Sequence, residues 1–179
     1  NDTYLNLDKF LTQEGLAFKL VPYENRSFDG QTGSVNTMVM YDKVMNKFKW
    51  GNIQDPNVYI NEDILRMTWN FKIIFSRLAQ ALILEGKKDL AIKVCDRCME
   101  VFPEKTIPLN YFNIYIADAY FKAGAIKKGE VLLAKIIEIY RKELDYYFRF
   151  TGEHASMVER DKQQALEIIK LCYSIAERN

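Results

Sequence analysis

The stretch from Ala81 to Pro103, "ALILEGKKDLAIKVCDRCMEVFP", contains the pattern that decides the fold. It runs from a small residue through a bulky apolar segment to Gly86, and then through a polar turn into a second apolar segment. The same order recurs 38 positions later in "AYFKAGAIKKGEVLLAKIIEIYR", Ala119–Arg141, with Gly124 in the place of Gly86. A glycine at such a point can end a helix in the left-handed conformation. The recurrence therefore predicts two helical hairpins of similar construction.

This pattern resembles the tetratricopeptide repeat, a helix–turn–helix unit of about 34 residues. The four extra residues of the 38-residue offset are expected in the connection "PEKTIPLN", 103–110. Repeats of that kind stack side by side and bury a continuous core between neighbours. Arg141 stands where the repeat pattern has proline, so the last helix of the second unit can continue further. The resemblance implies a mostly α fold, a tetratricopeptide-like stack of helical hairpins with a small mixed α/β cap at its N-terminus.

Residues 1–60 depart from the helical pattern and predict this N-terminal cap. Glycines and polar residues mark a loop near the middle, and Asn36 is typical of a helix N-cap. Pro22 limits the predicted strand to an edge or an end of a sheet. In chain order we expect a short helix at Asp8–Glu14, a short strand in Leu16–Tyr23, a loop at Asn25–Ser34 and an amphipathic helix from Asn36 to Lys47.

Residues 61–179 keep apolar side chains at helical spacing and predict the repeat body with a C-terminal capping helix. Asn61 can cap the first helix, and Glu62 and Asp63 suit the positive end of its dipole. The body helices are expected to begin near Asn61, Leu90, Thr106–Pro108 and Lys127, and the capping helix to run from about Ala155 to Glu177.

The charge balance argues against a nucleic-acid partner. The 179 residues include 25 basic and 24 acidic side chains, for a net charge of +1. Proteins that bind nucleic acid usually carry a basic excess or a basic patch, because they neutralise phosphates. An apolar run long enough to cross a bilayer is also missing from the sequence. We therefore expect no nucleic-acid partner, and we expect that this chain does not span a membrane.

The motif Cys95-Asp96-Arg97-Cys98 allows three interpretations: core packing, a metal site or a redox site. A structural zinc site needs four ligands, and the other candidates, Cys172 and His154, have no matching spacing. A thioredoxin-like CxxC opens a helix after a strand, whereas this motif lies inside a predicted helix. Buried thiols behave as small apolar groups. Packing on the inner face is favoured, and the metal and redox interpretations stay open as alternatives.

We find no constellation that predicts catalysis. His154 lies in a predicted linker beside Gly152 and Glu153, and the sequence around it has none of the context of a serine or cysteine nucleophile. A nucleophile paired with a base is the minimum that covalent hydrolytic chemistry requires. The sequence therefore predicts that this chain is not an enzyme, with no catalytic residue, no metal and no cofactor.

The first helices of stacked hairpins would line a concave groove, which is where such proteins commonly bind partners. Repeat position places Ile73, Ser76 and Gln80 from the first hairpin in the groove, followed by aromatic and acidic residues from the second. A protein or peptide partner is expected there. The candidate contact residues of the groove are Gln80, Tyr111, Tyr115 and Asp118, with Ile114 between them.

The segment Asn36–Asn52, "NTMVMYDKVMNKFKWGN", predicts an amphipathic helix with a second possible role. Its apolar face is expected to comprise Met38, Tyr41, Val44, Met45 and Phe48. The favoured interpretation is a helix docked on the repeat body. The alternative is a surface that contacts membrane headgroups or a partner. That surface would use Lys43, Lys47, Lys49 and Trp50, of which Lys47 and Trp50 are our candidate binding residues.

Four segments together resemble the C-terminal region of a family of large bacterial multi-pass membrane proteins of formerly unknown function. That family is similar to membrane protein O-mannosyltransferases that use lipid-linked sugars. The likeness is specific in "MYDKVMNKFKWGN" and generic in the repeats. The four segments are "LDKFLTQEGLAFKLVP", "VNTMVMYDKVMNKFKWGN", "LAQALILEGKKDLAIKVCDRCMEVFPE" and "YFNIYIADAYFKAGAIKKGE".

The resemblance implies a location and a function. A catalytic membrane domain would lie N-terminal to this chain, and the chain would sit at the extracytoplasmic (periplasmic) face of a bacterial inner membrane. No catalytic residue of such a transferase can be placed on this sequence. The expected function is a non-catalytic module that binds or positions a protein acceptor, or that contacts its own membrane domain. The alternative is a free-standing repeat scaffold that assembles protein complexes and has no link to sugar transfer.

Overall fold

A computed structural model of the chain describes residues 5–178. The fold is mostly helical, with 63% of residues in helices and a small three-stranded mixed sheet. The chain forms two compact units that meet in sequence between Pro108 and Leu109. The expected cap and the first hairpin belong to the first unit. The second hairpin and the C-terminal helix belong to the second.

The first unit combines the sheet with three helices. Its elements are a 3₁₀ turn at Asp8–Phe10, β1 (Leu11–Gln13), β2 (Phe18–Leu20), β3 (Ser34–Val35), α1 (Thr37–Asp42), a π-helical continuation at Lys43–Lys47, α2 (Glu62–Leu84) and α3 (Lys88–Val101). The strand order is β2-β1-β3. β1 pairs antiparallel with β2, with Leu11 opposite Leu20, and parallel with β3, with Thr12 opposite Ser34.

The expected helix at Asp8–Glu14 is wrong beyond its first turn. Only Asp8–Phe10 is helical, and Leu11–Gln13 forms the central strand of the sheet. All three strand residues are buried, and β1 is paired on both sides. Two ladders of hydrogen bonds outweigh the weak local preference that suggested a helix. The expected strand in Leu16–Tyr23 is confirmed as β2, which lies at an edge, as Pro22 required.

Local signals for helix ends are confirmed in the first unit. The Asn36 side chain accepts a hydrogen bond from the Val39 N–H at 3.4 Å, and Asn61 accepts one from the Ile64 N–H at 2.8 Å. Both are N-caps of the expected kind. Gly86 has a φ of +76° just beyond the end of α2, where the sequence predicted a stop.

Helix α1 packs against α2, as the docked-helix interpretation predicted. Met40 and Val44 are fully buried, whereas Met38 is 50% exposed. The expected apolar face is therefore wrong at its N-terminal end, where Met40 is buried instead. Lys43 bonds the Glu14 backbone carbonyl at 3.1 Å and its carboxylate at 3.2 Å, so this lysine is used inside the first unit.

A buried arginine joins α2 to the N-terminal loop. Arg77 is 5% exposed, and its guanidinium binds the Asp29 carboxylate with two nitrogens, at 2.8 and 3.2 Å. Paired N–H donors suit a carboxylate in this geometry. The remaining donors bond Gln13 Oε1 at 2.7 Å and the Gly33 carbonyl at 2.6 Å, with further contacts to Thr32 and Ser27. One side chain thus holds the loop that precedes β3.

Gly33→Ala is expected to cost about 2 kcal/mol more than Gly30→Ala. Both glycines have a similar positive φ, +74° and +70°, so the backbone strain of an added side chain is matched. A Cβ at Gly33 would lie 2.9 Å from the Leu11 carbonyl oxygen, whereas nothing lies within 4 Å at Gly30. Urea unfolding of both variants measures the difference. Equal losses would show that the loop shifts without resistance.

The second unit contains three helices. They are α4 (Asn113–Ala123), α5 (Ile126–Tyr147) and α6 (Glu153–Arg178), with α5 packed against both of the others. Gly124, with a φ of +91°, ends α4 as the sequence predicted. Gly129 brings α5 close to α4, because a Cβ there would lie 3.0 Å from the Phe121 ring. The long fourth helix and the C-terminal helix are confirmed.

The expected start of α4 near Thr106–Pro108 is wrong, because the helix begins at Asn113. Two asparagines form a turn in front of it. The Asn110 N–H donates to Asn113 Oδ1 at 3.0 Å, and the Phe112 N–H donates to Asn110 Oδ1 at 3.2 Å. These local bonds compete with helix formation. As a result Tyr111 lies outside the helix on which we expected it.

The two cysteines of the CxxC motif lie on the inner face of α3, as predicted for packing. Cys95 and Cys98 are both fully buried. Burial raises the pKa of the Cys98 thiol to about 12, so it stays protonated at neutral pH. The thiolate is the form that reacts and binds metals, so this environment suppresses both chemistries at Cys98. Within residues 5–178, no group of three or more potential ligands could hold a metal ion.

Candidate functional site

A recess of about 440 Å³ opens in the first unit between a loop and the end of α3. One wall is the segment that follows α1, with residues 45–46, 48–52 and 54. The other wall is the last turn of α3, with Arg97, Glu100 and Val101. The volume lies in the range of pockets that hold small ligands or side chains of a partner.

The loop wall includes part of the π-helical turn and continues beyond its end at Lys47. Phe48 has extended backbone angles, and Gly51 and Asn52 both have left-handed φ values, +63° and +58°. Glycine and asparagine tolerate this conformation best. The Asn52 amide donates to Asp55 Oδ2 at 3.2 Å, and the Gln54 amide donates to Asn52 Oδ1 at 3.3 Å. The polar side chains of this wall therefore hold one another in place.

Trp50 anchors the loop to the helices behind it. Its ring lies 5.5 Å from Phe71, 5.4 Å from Phe75 and 5.5 Å from Phe102, measured between centroids. Phe48 adds a fourth contact at 5.8 Å. Most of these pairs meet edge to face, the arrangement that the ring quadrupole favours. A rigid aromatic base of this kind fixes the position of the residues on either side of Trp50.

The α3 wall carries a charged pair. Arg97 Nη1 lies 2.8 Å from Glu100 Oε2, three residues further along the helix. The Arg97 side chain is 29% exposed and that of Glu100 is 69% exposed, so the arginine is the deeper of the two. Val101 is buried beside them. Lys49, on the loop wall, is exposed and adds a second positive charge.

Two nitrogen donors in these walls have no acceptor. Trp50 Nε1 and Arg97 Nε are buried and find no hydrogen-bond partner among residues 5–178. A buried donor left unpaired costs about 1–3 kcal/mol. Two N–H groups of the residues that line the recess therefore lack a hydrogen-bond acceptor among residues 5–178.

Comparison with known proteins adds no assignment to this geometry. No known protein family, curated protein or solved structure matches the chain. Among the described residues, 5–178, no helix is long and apolar enough to cross a membrane.

Of the six residues expected to bind a partner, Trp50 lines this recess. Lys47 is close in sequence but forms an ion pair with Asp42 at 2.6 Å and is not part of the walls. Gln80 is half-buried on α2. Ser76, another expected groove residue on that helix, is 5% exposed and bonds the Ile73 carbonyl at 2.8 Å. It therefore offers a partner little surface.

The other three expected residues lie in the second unit. Tyr111 and Tyr115 share a hydrogen bond between their hydroxyl groups. Burial, together with the hydrogen bond to Tyr111, raises the pKa of Tyr115 to about 12. Tyr111 also borders a shallow recess of about 440 Å³ against α6, where its neighbours are Gln164, Glu167, Ile168 and Leu171.

Asp118 is 7% exposed, and its Oδ2 lies 2.6 Å from Lys122 Nζ. Its Oδ1 is buried and has no donor among the described residues. Ile114, which the groove hypothesis placed between these residues, is fully buried. The carboxylate is thus mostly enclosed, with little of it accessible to a partner.

Sequence reasoning missed the α3 wall. The sequence predicts no role for Arg97 beyond its place in the CxxC motif, and no binding role for Asn46, Asn52 or Gln54. One signal was present: Arg97 and Val101 are four residues apart and so share a face of the helix. The position of the Trp50 loop opposite that face depends on tertiary packing, which no local pattern indicates.

Proposed function

We propose that this chain is a non-catalytic binding module that captures a segment of a partner protein in the recess between the Trp50 loop and α3. The single observation that carries the proposal is the pair of unpaired buried donors, Trp50 Nε1 and Arg97 Nε, in the walls of one recess. Peptide backbones and side chains supply the acceptors that such donors lack.

The proposal assigns the helices a supporting role. Each of the pairs α2/α3 and α4/α5 is joined by a turn of two or three residues and packs together. We propose that these hairpins are tetratricopeptide-like repeats, because the glycine-punctuated pattern recurs in both. In such a scaffold, stacked helices give a rigid frame, and binding residues project from its surface and loops.

We further propose that the module serves a longer membrane protein similar to the O-mannosyltransferases. The family resemblance of the Met40–Asn52 segment supports this, since the same segment forms the loop wall of the recess. The module would then lie at the extracytoplasmic face, position a protein acceptor for sugar transfer and leave the chemistry to the membrane domain. The gene upstream of the Asn1 codon tests this: encoded membrane spans support it, whereas a start codon or a cytosolic domain favours the free-standing scaffold.

Photo-crosslinking from residue 54 tests the binding function itself. Gln54 is exposed and lines the recess, so a benzophenone amino acid in its place reaches a bound segment without entering the core. The intact parent protein is irradiated in its own cells, and the products are identified by mass spectrometry. We expect one recurring partner segment, joined at residue 54.

The matched control places the same crosslinker at Lys142, an exposed residue of α5 whose side chain is 74% accessible. Residue 142 is outside the recess and should give no product with that segment. Products that are equally frequent from both positions, or none from residue 54, would contradict a binding role for the recess.

A further inference from the structure

We infer that the recess recognises a carboxylate group of the partner, from an acidic side chain or from a chain end. The inference rests on the proposed binding function and adds the chemical class of the ligand. It concerns the Trp50 loop and the last turn of α3, not the face of the first helices where a repeat groove is usually sought.

The unpaired polar atoms of the walls indicate whether a ligand must donate or accept hydrogen bonds. Both unpaired atoms in the walls, Trp50 Nε1 and Arg97 Nε, are donors, and neither can accept. Within residues 5–178, the side chains of the walls contain no buried acceptor that is left without a donor. A ligand that satisfies this site must therefore bring acceptors, and a carboxylate brings two oxygens that accept only.

The charged residues of the walls indicate the sign of the charge that a ligand should carry. Lys49 and Arg97 are positive and Glu100 is negative, and these are the charged residues among those that line the recess. Glu100 is already paired with Arg97 Nη1, so its charge is partly compensated by the same guanidinium. The Arg97 Nε–H is buried and has no acceptor among residues 5–178, and Lys49 is exposed at the opposite wall. An anionic acceptor is favoured over a neutral carbonyl because charge-assisted bonds are stronger.

The apolar lining indicates what flanks the carboxylate. Met45, Phe48, Trp50 and Val101 contribute to the walls beside the polar groups. Sites of this size combine apolar area for affinity with a few polar groups for orientation. We therefore expect an acidic residue with apolar neighbours, in a segment that lies across the loop.

The test uses three synthetic probes: acetyl-Leu-Glu-Leu-amide, the neutral acetyl-Leu-Gln-Leu-amide, and acetyl-Leu-Gln-Leu with a free C-terminal carboxylate. The chain has two tryptophans, so the Trp50 indole N–H gives one of two resolved signals, which its loss in Trp50→Phe assigns. We expect saturable shifts of this signal and of the Arg97 Nε–H signal with a carboxylate probe, at a Kd of about 1 mM or tighter. The two carboxylate probes distinguish a side chain from a chain end.

Variants identify the donors. Arg97→Gln removes the guanidinium and is expected to weaken carboxylate binding about 10- to 100-fold, the range for a lost bond to a charged group. Lys49→Gln changes an exposed residue that the fold does not need, and should weaken binding by a smaller factor. Lys142→Gln is the control, with an exposed lysine removed outside the recess, and should bind as the wild type does.

The outcomes separate this inference from the function on which it rests. Equal binding of the neutral amide and the carboxylate probes would overturn the carboxylate assignment and leave the binding function in place. If no probe shifts the signals but a partner segment is crosslinked at residue 54, the carboxylate assignment is overturned and the binding function stands. If there are neither shifts nor a crosslinked segment, the binding function is overturned as well.

Discussion

Arg77→Met is expected to lower the free energy of unfolding by about 3 kcal/mol or more, the largest loss from any single substitution considered in this chain. The methionine fills a similar volume but donates no hydrogen bond. Gln13 Oε1 and the Gly33 carbonyl would lose the guanidinium as donor, and the Asp29 carboxylate would lose its ion pair while it keeps the bonds from Ser27 and the Gln31 N–H. The Asp29 side chain is 15% exposed, so the loss of Arg77 leaves a largely enclosed negative charge without its cation.

The pKa of the Asp29 carboxyl group also depends on Arg77. Burial alone would raise its pKa, but hydrogen bonds from Ser27, Arg77 and the Gln31 N–H outweigh that effect and hold the pKa below its ordinary value. A depressed pKa in the folded state stabilises the fold above the unfolded pKa. That contribution is lost as the pH falls through the folded value. Arg77→Met should therefore also reduce the loss of stability in acid.

Urea unfolding at neutral pH measures the effect, with Arg66→Met as the matched control on the same helix. Arg66 forms an exposed pair with Glu62 at 2.7 Å, and such pairs contribute about 0–1 kcal/mol. The double variant with Asp29→Asn should lose less than the sum of the two single losses, since both remove one interaction. A loss for Arg77→Met as small as that for Arg66→Met would refute the account of the loop.

The second large effect concerns pH and a buried lysine. Lys72 is fully buried on α2 and donates to the Pro108 carbonyl at 3.2 Å. Burial lowers its pKa to about 8 and outweighs the opposing effect of the neighbouring Cys98. The unfolded chain, with a lysine pKa of 10.5, binds the proton more tightly than the folded chain does. Stability should therefore rise with pH between about 8 and 10.5.

From about pH 7.5 to 9.5, the wild type should gain about 2 kcal/mol relative to Lys72→Met. Methionine keeps the length of the side chain and does not titrate in this range. Other lysines and tyrosines titrate in both proteins and cancel in the comparison. Denaturant unfolding at several pH values gives the difference directly. Parallel pH profiles for the two proteins would show that Lys72 is solvated in the folded state.

Much of the helical fold could be predicted because its signals are local. Asn61 caps α2 with its own side chain, and Gly124 ends α4 through its own backbone conformation. The inward positions of Cys95 and Cys98 follow from the apolar spacing of a single helix. These features need no knowledge of what lies opposite in space.

The errors have a common physical origin in partners that are distant in sequence or in competing local bonds. Leu11–Gln13 is a strand because β2 and β3 pair with it on both sides. The late start of α4 comes from the side chains of Asn110 and Asn113, which bond the backbone in front of the helix. Arg77 has its acceptors 44 or more positions earlier in the chain, so a helical pattern could not indicate its role.

The sequence indicated one wall of the candidate site, the Trp50 loop, but not the other wall on α3. Trp50 and Lys49 belong to the predicted contact surface beside the amphipathic helix, and both line the recess, whereas Lys47, the other predicted binding residue of that segment, does not. Arg97 did not stand out, because a charged residue between two buried cysteines is ordinary on a half-exposed helix. The site depends on the packing of the Trp50 ring against Phe71, Phe75 and Phe102, which brings the loop to α3.

The most direct test of the binding role is the crosslinking yield from residue 54 in the intact parent protein, measured with and without the double substitution Lys49→Gln, Arg97→Gln. The account predicts a single recurring partner segment and a yield that falls about tenfold or more when both cations are removed. A yield that is unchanged by the double substitution would contradict the claim that this recess holds the partner.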